Sequence, residues 1–453
     1  MMKPLTRHPE GSLRELWAIA FPLMLSELSI MAMLFVDRIL LARYSPEAFS
    51  AAVSASTIGW SMVLAWLVLA GISEVFVAQF NGSGQYSRLG APVWQMIWVS
   101  LISLGFFIPM ALYGGNLIWG SFDEHPLQIT YFRLMLLFGF SYPFYGALVG
   151  FFIGRGEVIL ITILSFLSNV INCLLDVILI FGIEGWVPEM GVAGAAIATS
   201  GSQIFQAGVL AFFFLSPKNR KEYGTSKVSF DKSLMWDCIR IGFPSALFAG
   251  TELMGWGVFY RMMEEVSTEH ILIAGICQSL IILFYFYGEG VGKGITALAG
   301  NMIGAKQVGA VPKVLRSGVW LIVLFFFVLM GSVYFFADDI GTLFLGEEIS
   351  TETMNTLIFC IYLTAVYLLF EGLRIVYIGL MTAAGDTRFL FWASASLMWL
   401  LLVTPIYFLI YRGGGSVQLA WMIASLYSFF AYLVYRWRYR SGVWKTLSIT
   451  SST

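Results

Sequence analysis

FPLMLSELSIMAMLFVDRILLARYS, residues 21–45, decides the fold. Before Arg43 it holds three charges, Glu27, Asp37 and Arg38, in a run of large apolar side chains. Crossing the hydrocarbon of a bilayer takes about 20 mostly apolar residues as one helix. The apolar run, extended back to about residue 16, is long enough to span, and its charges are too costly to face lipid. Comparable segments recur near 51–79, 93–119, 129–152, 159–181 and 192–215. After a polar break they recur at 238–262, 271–302, 314–336, 356–381, 389–410 and 417–436. The expected fold is therefore all-α and integral to the membrane, with twelve transmembrane helices in two six-helix bundles. The bundles cover 14–215 and 233–440 and are joined by a linker at 216–232.

Composition agrees. Of 453 residues 58% are hydrophobic and 12% charged, and the mean hydropathy is +0.81. Such a chain cannot supply the polar surface of a soluble enzyme, a nucleic-acid binder or a disordered scaffold. The net charge of −1 argues for no polyanionic partner. Cys173, Cys238, Cys277 and Cys360 are scattered, and three His occur in all. Neither a disulfide framework nor a zinc site is expected. The first apolar segment is too long for a signal peptide, and no small-residue cleavage site follows it.

Lys and Arg set the orientation. With twelve spans, the side shared by the termini and the even-numbered connections holds nineteen of the 26 basic residues, from Lys3, Arg7 and Arg14 through the linker to Arg440 and Lys445. The opposite side holds Arg43 and Arg412 and is acidic, with Asp123, Glu124, Glu184, Glu189, Glu347 and Glu348 among its residues. Both termini are expected in the cytoplasm, with the chain in the inner or plasma membrane.

The halves align on each other. At a shift of 222 residues, Pro22 meets Pro244, Ser45 meets Ser267, Gly82 meets Gly304 and Gln85 meets Gln307. At a shift of 229, Gly156 meets Gly385. Six helices per copy make both copies enter from one side, related by an axis along the membrane normal. Two like halves around a cleft suit alternating access, which neither a pore nor a receptor needs.

Ionisable residues inside the spans are functional candidates by default. The acids are Glu27, Asp37, Glu74, Asp176, Glu252, Glu289 and Glu371; the bases are Arg38, Arg133, Arg261, Lys293 and Arg374. Glu289 and Lys293 are one turn apart and are expected to pair, and Glu371 and Arg374 can pair similarly. Asn169, Asn172 and Asp176 share one face of the fifth helix. That face must look into the bundle or a wet cavity, as a packing cluster or as a site for a proton or a hard cation such as Na⁺. Pro22 and Pro244 each remove a backbone hydrogen bond and are expected to bend helices that carry Asp37 and Glu252. No catalytic or nucleotide-binding motif competes. No enzyme activity, cofactor or ATPase is expected, and energy must come from an ion gradient or a partner.

The order and spacing of FPLMLSELSIMAMLFVDRILLARYS, AQFNGSGQ, GRGEV, NVINCLLDVILIFG, MGVAGAAIATS and AAGDTR resemble the multidrug and toxic compound extrusion (MATE) family, over roughly residues 14–440. The resemblance implies a secondary antiporter that exchanges organic, often cationic, compounds for H⁺ or Na⁺. It maps a proton or cation site onto Asp37, Asn172, Asp176 and Thr199, with Pro22 as the bend of the first helix. It maps a second cation or substrate site onto Glu252 and Glu371. The chain carries both sets, which leaves the coupling ion open. Proton coupling through Asp37 and Asp176 is preferred, because Arg374 threatens to neutralise Glu371. The expected partners are a small organic substrate and the lipid bilayer, with no nucleic acid, and the protein is expected as a monomer. The alternative within the superfamily is a flippase for lipid-linked substrates, which favours unpaired cations in its cavity.

Overall fold

The structure, a computed structural model, describes residues 5–345, 350–447 and 449; Lys3, Glu347 and Glu348 lie outside the described residues. Twelve spans run through them. In the N-terminal half they are α1 (Leu13–Tyr44), α2 (Pro46–Gly82), α3 (Tyr86–Trp119), α4 (Pro126–Leu137 with Ser141–Ile153), α5 (Val158–Phe181) and α6 (Val192–Phe214). In the C-terminal half they are α7 (Lys232–Val266), α8 (Thr268–Gly304), α9 (Val311–Leu345), α10 (Thr351–Ala384), α11 (Thr387–Tyr411) and α12 (Val417–Arg440). α7 is the most charged, carrying Asp237, Arg240, Glu252, Arg261, Glu264 and Glu265. Between the halves lies a short helix, Pro217–Tyr223.

α4 is not the straight span its hydropathy implies. Its two pieces meet at 41°, where Gly139 and Pro143 weaken the backbone ladder. Pro22 and Pro244, by contrast, sit inside α1 and α7 without breaking either helix.

The internal repeat is visible atom by atom. Ser45 caps α2 through Ala48 N–H, and Ser267 caps α8 through His270 N–H, both from extended backbone. Gly156 and Gly385 both take positive φ, +75° and +78°. The halves meet in a pseudo-two-fold contact. A Cβ on Gly82 would lie 1.9 Å from the Asn301 carbonyl oxygen, and one on Gly304 would lie 2.0 Å from that of Gln79. Gln79 Nε2 donates to Ala383 O (2.7 Å), and Asn301 Nδ2 donates to Gly154 O (2.8 Å). The shifts of 222 and 229 interconvert these contacts, so one self-complementary surface is used twice.

These contacts lie toward the face bearing both termini, where α1 and α2 pack on α8 and α7. One hydrophobic core there joins Leu16, Ile19 and Phe76 to Val291, Leu298 and Leu380 of the other half. Toward the opposite face the halves keep separate cores: Phe259, Ile273, Trp421 and Tyr427 in the C-terminal half, Phe107 and Phe132, or Leu41 and Ile180, in the N-terminal half. The bundles are closed against each other at the termini and part toward the distal face.

Candidate functional site

The distal halves of α1, α5 and α6 bring four of the expected residues together. α5 buries Asn172 and Asp176 completely, because they share the face that packs on α1 and α6. With its nitrogen toward the acids, the orientation its partners require, the Asn172 amide donates to Asp37 Oδ1 at 2.9 Å and to Asp176 Oδ2 at 3.3 Å. Its oxygen then accepts from Thr199 N–H at 3.3 Å. The Asp37 carboxyl also lies against that of Asp176 and against the Thr199 hydroxyl. Asp176 Oδ1 is buried and has no hydrogen-bond partner among the described residues. A buried oxygen left open is costly unless something completes it. With the amide nitrogen turned inward, the open acceptors are carboxylate oxygens, a set that suits a proton better than an ion needing about six oxygens.

A polar seam continues from this site toward the termini; beyond Asn169, its residues were missed in the sequence. Asn169 Nδ2 donates to Ser29 Oγ in a short contact, and Ser168 Oγ donates to Ser202 O at 2.9 Å. Ser26 donates to Ser165 (2.6 Å), which also receives Gln206 Nε2 (3.0 Å). Thr162 donates to Pro22 O at 2.7 Å, tying the proline turn of α1 to α5. The signal was the 3–4 spacing of Ser26 and Ser29, and of Ser165, Ser168, Asn169 and Asn172.

Glu252 and Glu371 also meet, but around a third residue. Arg374 binds Glu371 through two parallel bonds of 2.9 and 2.5 Å and Glu252 through Nη1 at 2.9 Å. Ser394 donates to Glu252 in a short contact. The Arg374 side chain is 3% exposed. The fork geometry of a guanidinium satisfies both acids at once, and the triad keeps a formal charge of −1.

The expected pairing of Glu289 with Lys293 is corrected. Lys293 Nζ meets Glu27 Oε1 of α1 at 2.5 Å, across the two bundles. Gly290 and Gly294 flank the lysine and let α1 come close: a Cβ on Gly290 would lie 2.4 Å from Met24 Cγ, and one on Gly294 3.1 Å from Leu16 Cδ1. That approach offers the lysine a carboxylate from the facing helix. Arg261 is exposed at the end of α7 and pairs with Glu264 and Glu265 at 2.9 Å each.

Two six-helix halves closed on one side, with titratable groups buried between helices, define a multi-pass membrane transporter of the two-bundle type. The MatE family model matches residues 22–178 and 255–408, and the chain belongs to that family, whose members are transporters. It is 25% identical over 398 residues to a probable multidrug resistance protein NorM of Photorhabdus laumondii, covering 86% of this chain and 85% of that one. It is 24% identical over 330 residues to a probable multidrug resistance protein NorM of Thermotoga maritima, covering 71% and 70%. Among solved structures, a MATE protein in complex with MaL6 superposes with a TM-score of 0.84 over 98% of this chain and all of that one, at 18% identity. An outward-facing multidrug resistance MATE transporter of the MOP superfamily gives 0.82 at 19% identity, over 97% of each.

Proposed function

We propose that this protein is a multidrug antiporter of the cell membrane. It exports organic cations or amphipathic compounds in exchange for protons, by alternating access, with both termini in the cytoplasm. The observation that carries the coupling reading is the contact of half-buried Asp37 with fully buried Asp176 under the Asn172 amide, with Asp176 Oδ1 left open. Two carboxyl groups in contact, one of them sealed from water, hold one proton more readily than two charges. The proton-loaded pair carries one negative charge instead of two and lets α1 and α5 stay close. The unloaded pair needs both Asn172 N–H groups, so loading changes the packing of α1. Pro22, which lacks a donor, and the Thr162 bond to its carbonyl give α1 a place to respond.

The C-terminal acids support substrate or cavity roles over sodium binding, because Arg374 already occupies the oxygens an ion would need. A lipid flippase is not favoured: Lys293 and Arg374 are held by carboxylates rather than free for phosphate. The multidrug names of the NorM relatives support the substrate class. The test is reconstitution with a fluorescent organic cation. Export should follow an imposed proton gradient, and adding the cation should move protons. Export driven only by sodium would overturn the ion assignment, and export indifferent to both gradients would overturn antiport.

A further inference from the structure

The two-fold contacts at the termini face are nearly symmetric, but the ion pair above them is not. At the shift of 222, Lys293 corresponds to Gly71, Glu27 to Ala249 and Glu289 to Leu67. Among the described residues, one charged crossing links the halves at the floor of the cleft, where α1 meets α8. The two side chains are partly exposed, 21% for Glu27 and 37% for Lys293. Glu74, on the terminal part of α2 packed against α8, leaves Oε1 buried and without a partner among the described residues.

We propose that Lys293 is a partner-switching residue that couples the two bundles. It holds Glu27 of the N-terminal half when the termini face is closed, and Glu289 of its own helix when that face opens. The proposal rests on the alternating-access reading above. When the halves separate, Glu27 leaves with α1. Glu289 cannot leave, because it is one turn from Lys293 on the same helix, within ion-pair reach in every conformation. In the closed state Glu289 lies near both the Tyr285 hydroxyl and Lys293, without a direct ion pair to the lysine among the described residues. A lysine stranded by the opening would be a bare charge in a cleft of low polarity, and such charges are costly. The waiting carboxylate removes most of that cost and makes both end states accessible. Gly290 is required for the first state, because a Cβ there would lie 2.9 Å from Met24 N and 3.0 Å from Ala20 O and push α1 away from the lysine.

Spin–spin distances between Glu184→Cys and Thr351→Cys test this in full-length protein in lipid nanodiscs. Both sites are exposed on the distal face of opposite halves. Cys173→Ser removes the one cysteine that is not buried. Wild type should show a distal-open and a distal-closed distance whose ratio responds to pH. Glu27→Gln should raise the closed-to-open ratio about tenfold. Lys293→Met removes the lysine's partner in both states and should shift the ratio much less, and the double variant should match Lys293→Met, because without the lysine Glu27 has no pair left to lose. Glu289→Gln should lower the ratio about tenfold, since it removes only the second partner. If Lys293→Met does not fold, the opposed shifts of Glu27→Gln and Glu289→Gln still decide. Unchanged ratios in Glu27→Gln and Glu289→Gln, or shifts of one sign in those two variants, overturn the switch while leaving alternating access standing. A single wild-type distance under every proton and substrate condition overturns both.

Discussion

Gly82→Ala adds one methyl group at the pseudo-two-fold axis, and its effect can be worked from the coordinates. The new Cβ would lie 1.9 Å from Asn301 O, whereas ordinary contact begins at 3.4 Å, so backbone must withdraw by 3.4 − 1.9 = 1.5 Å. The obstacle is a carbonyl in a helix, not the end of a flexible side chain. Overpacking of this kind costs about 1–3 kcal/mol, and only in the state where the termini face is closed. Gly82 is the last residue of its helix, so alanine's preference for helix adds less than the ~1 kcal/mol of a helix interior, in either state. The two effects have opposite signs in different assays. Thermal stability should hold or rise, while the balance between faces should move about 5- to 150-fold toward the termini-open state. Gly304→Ala should do the same, because its Cβ would lie 2.0 Å from Gln79 O. The double variant should fall short of the sum, since one separation relieves both clashes. Access of a water-soluble maleimide to a cysteine at the termini face, with a melting curve for each variant, reads both quantities. A destabilised Gly82→Ala with wild-type access would refute the reasoning, and so would opposite shifts in the two alanine variants.

Asn172→Ala removes two donors to carboxylates, each bond worth about 1.5–3 kcal/mol. Proton-driven export of a fluorescent cation should fall at least tenfold while size-exclusion behaviour stays unchanged. Arg374→Met strands Glu252 and Glu371 in a buried site, so the protein should lose about 3–5 kcal/mol of stability, read by thermal or denaturant melting in detergent. Glu252→Gln and Glu371→Gln should weaken export of a cationic substrate but leave what remains driven by protons, with no sodium dependence gained, as measured under each gradient separately.

Apolar length, basic asymmetry and the shift of 222 residues made the twelve helices and the repeat legible in the sequence, because each follows from the solvent a helix must cross. Asp37 and Asp176 stood out as acids inside spans, the face that Asn172 shares with Asp176 on α5 came from helical spacing, and Thr199 and the grouping of the four came from a family pattern. What stayed hidden depends on contacts between helices far apart in the chain. Glu27 could not be matched to Lys293, 266 residues away, because the spacing within α8 offered Glu289 as a nearer candidate. The 41° bend of α4 was hidden for a different reason: hydropathy averages over the Gly139 and Pro143 that cause it. Gln79 and Asn301 carried no charge to draw notice, yet their amides tie the halves together.

The central claim is that the Asp37–Asp176 pair carries the coupling proton. Asp37→Asn keeps the shape and hydrogen bonding of the side chain and removes its titration. In proteoliposomes with a fixed inside-to-outside pH difference, wild type should concentrate a fluorescent organic cation against its gradient. Asp37→Asn should still bind the cation and let it equilibrate, but should fail to concentrate it at any imposed pH difference. Accumulation by Asp37→Asn that still scales with the proton gradient would contradict the claim and place the proton elsewhere.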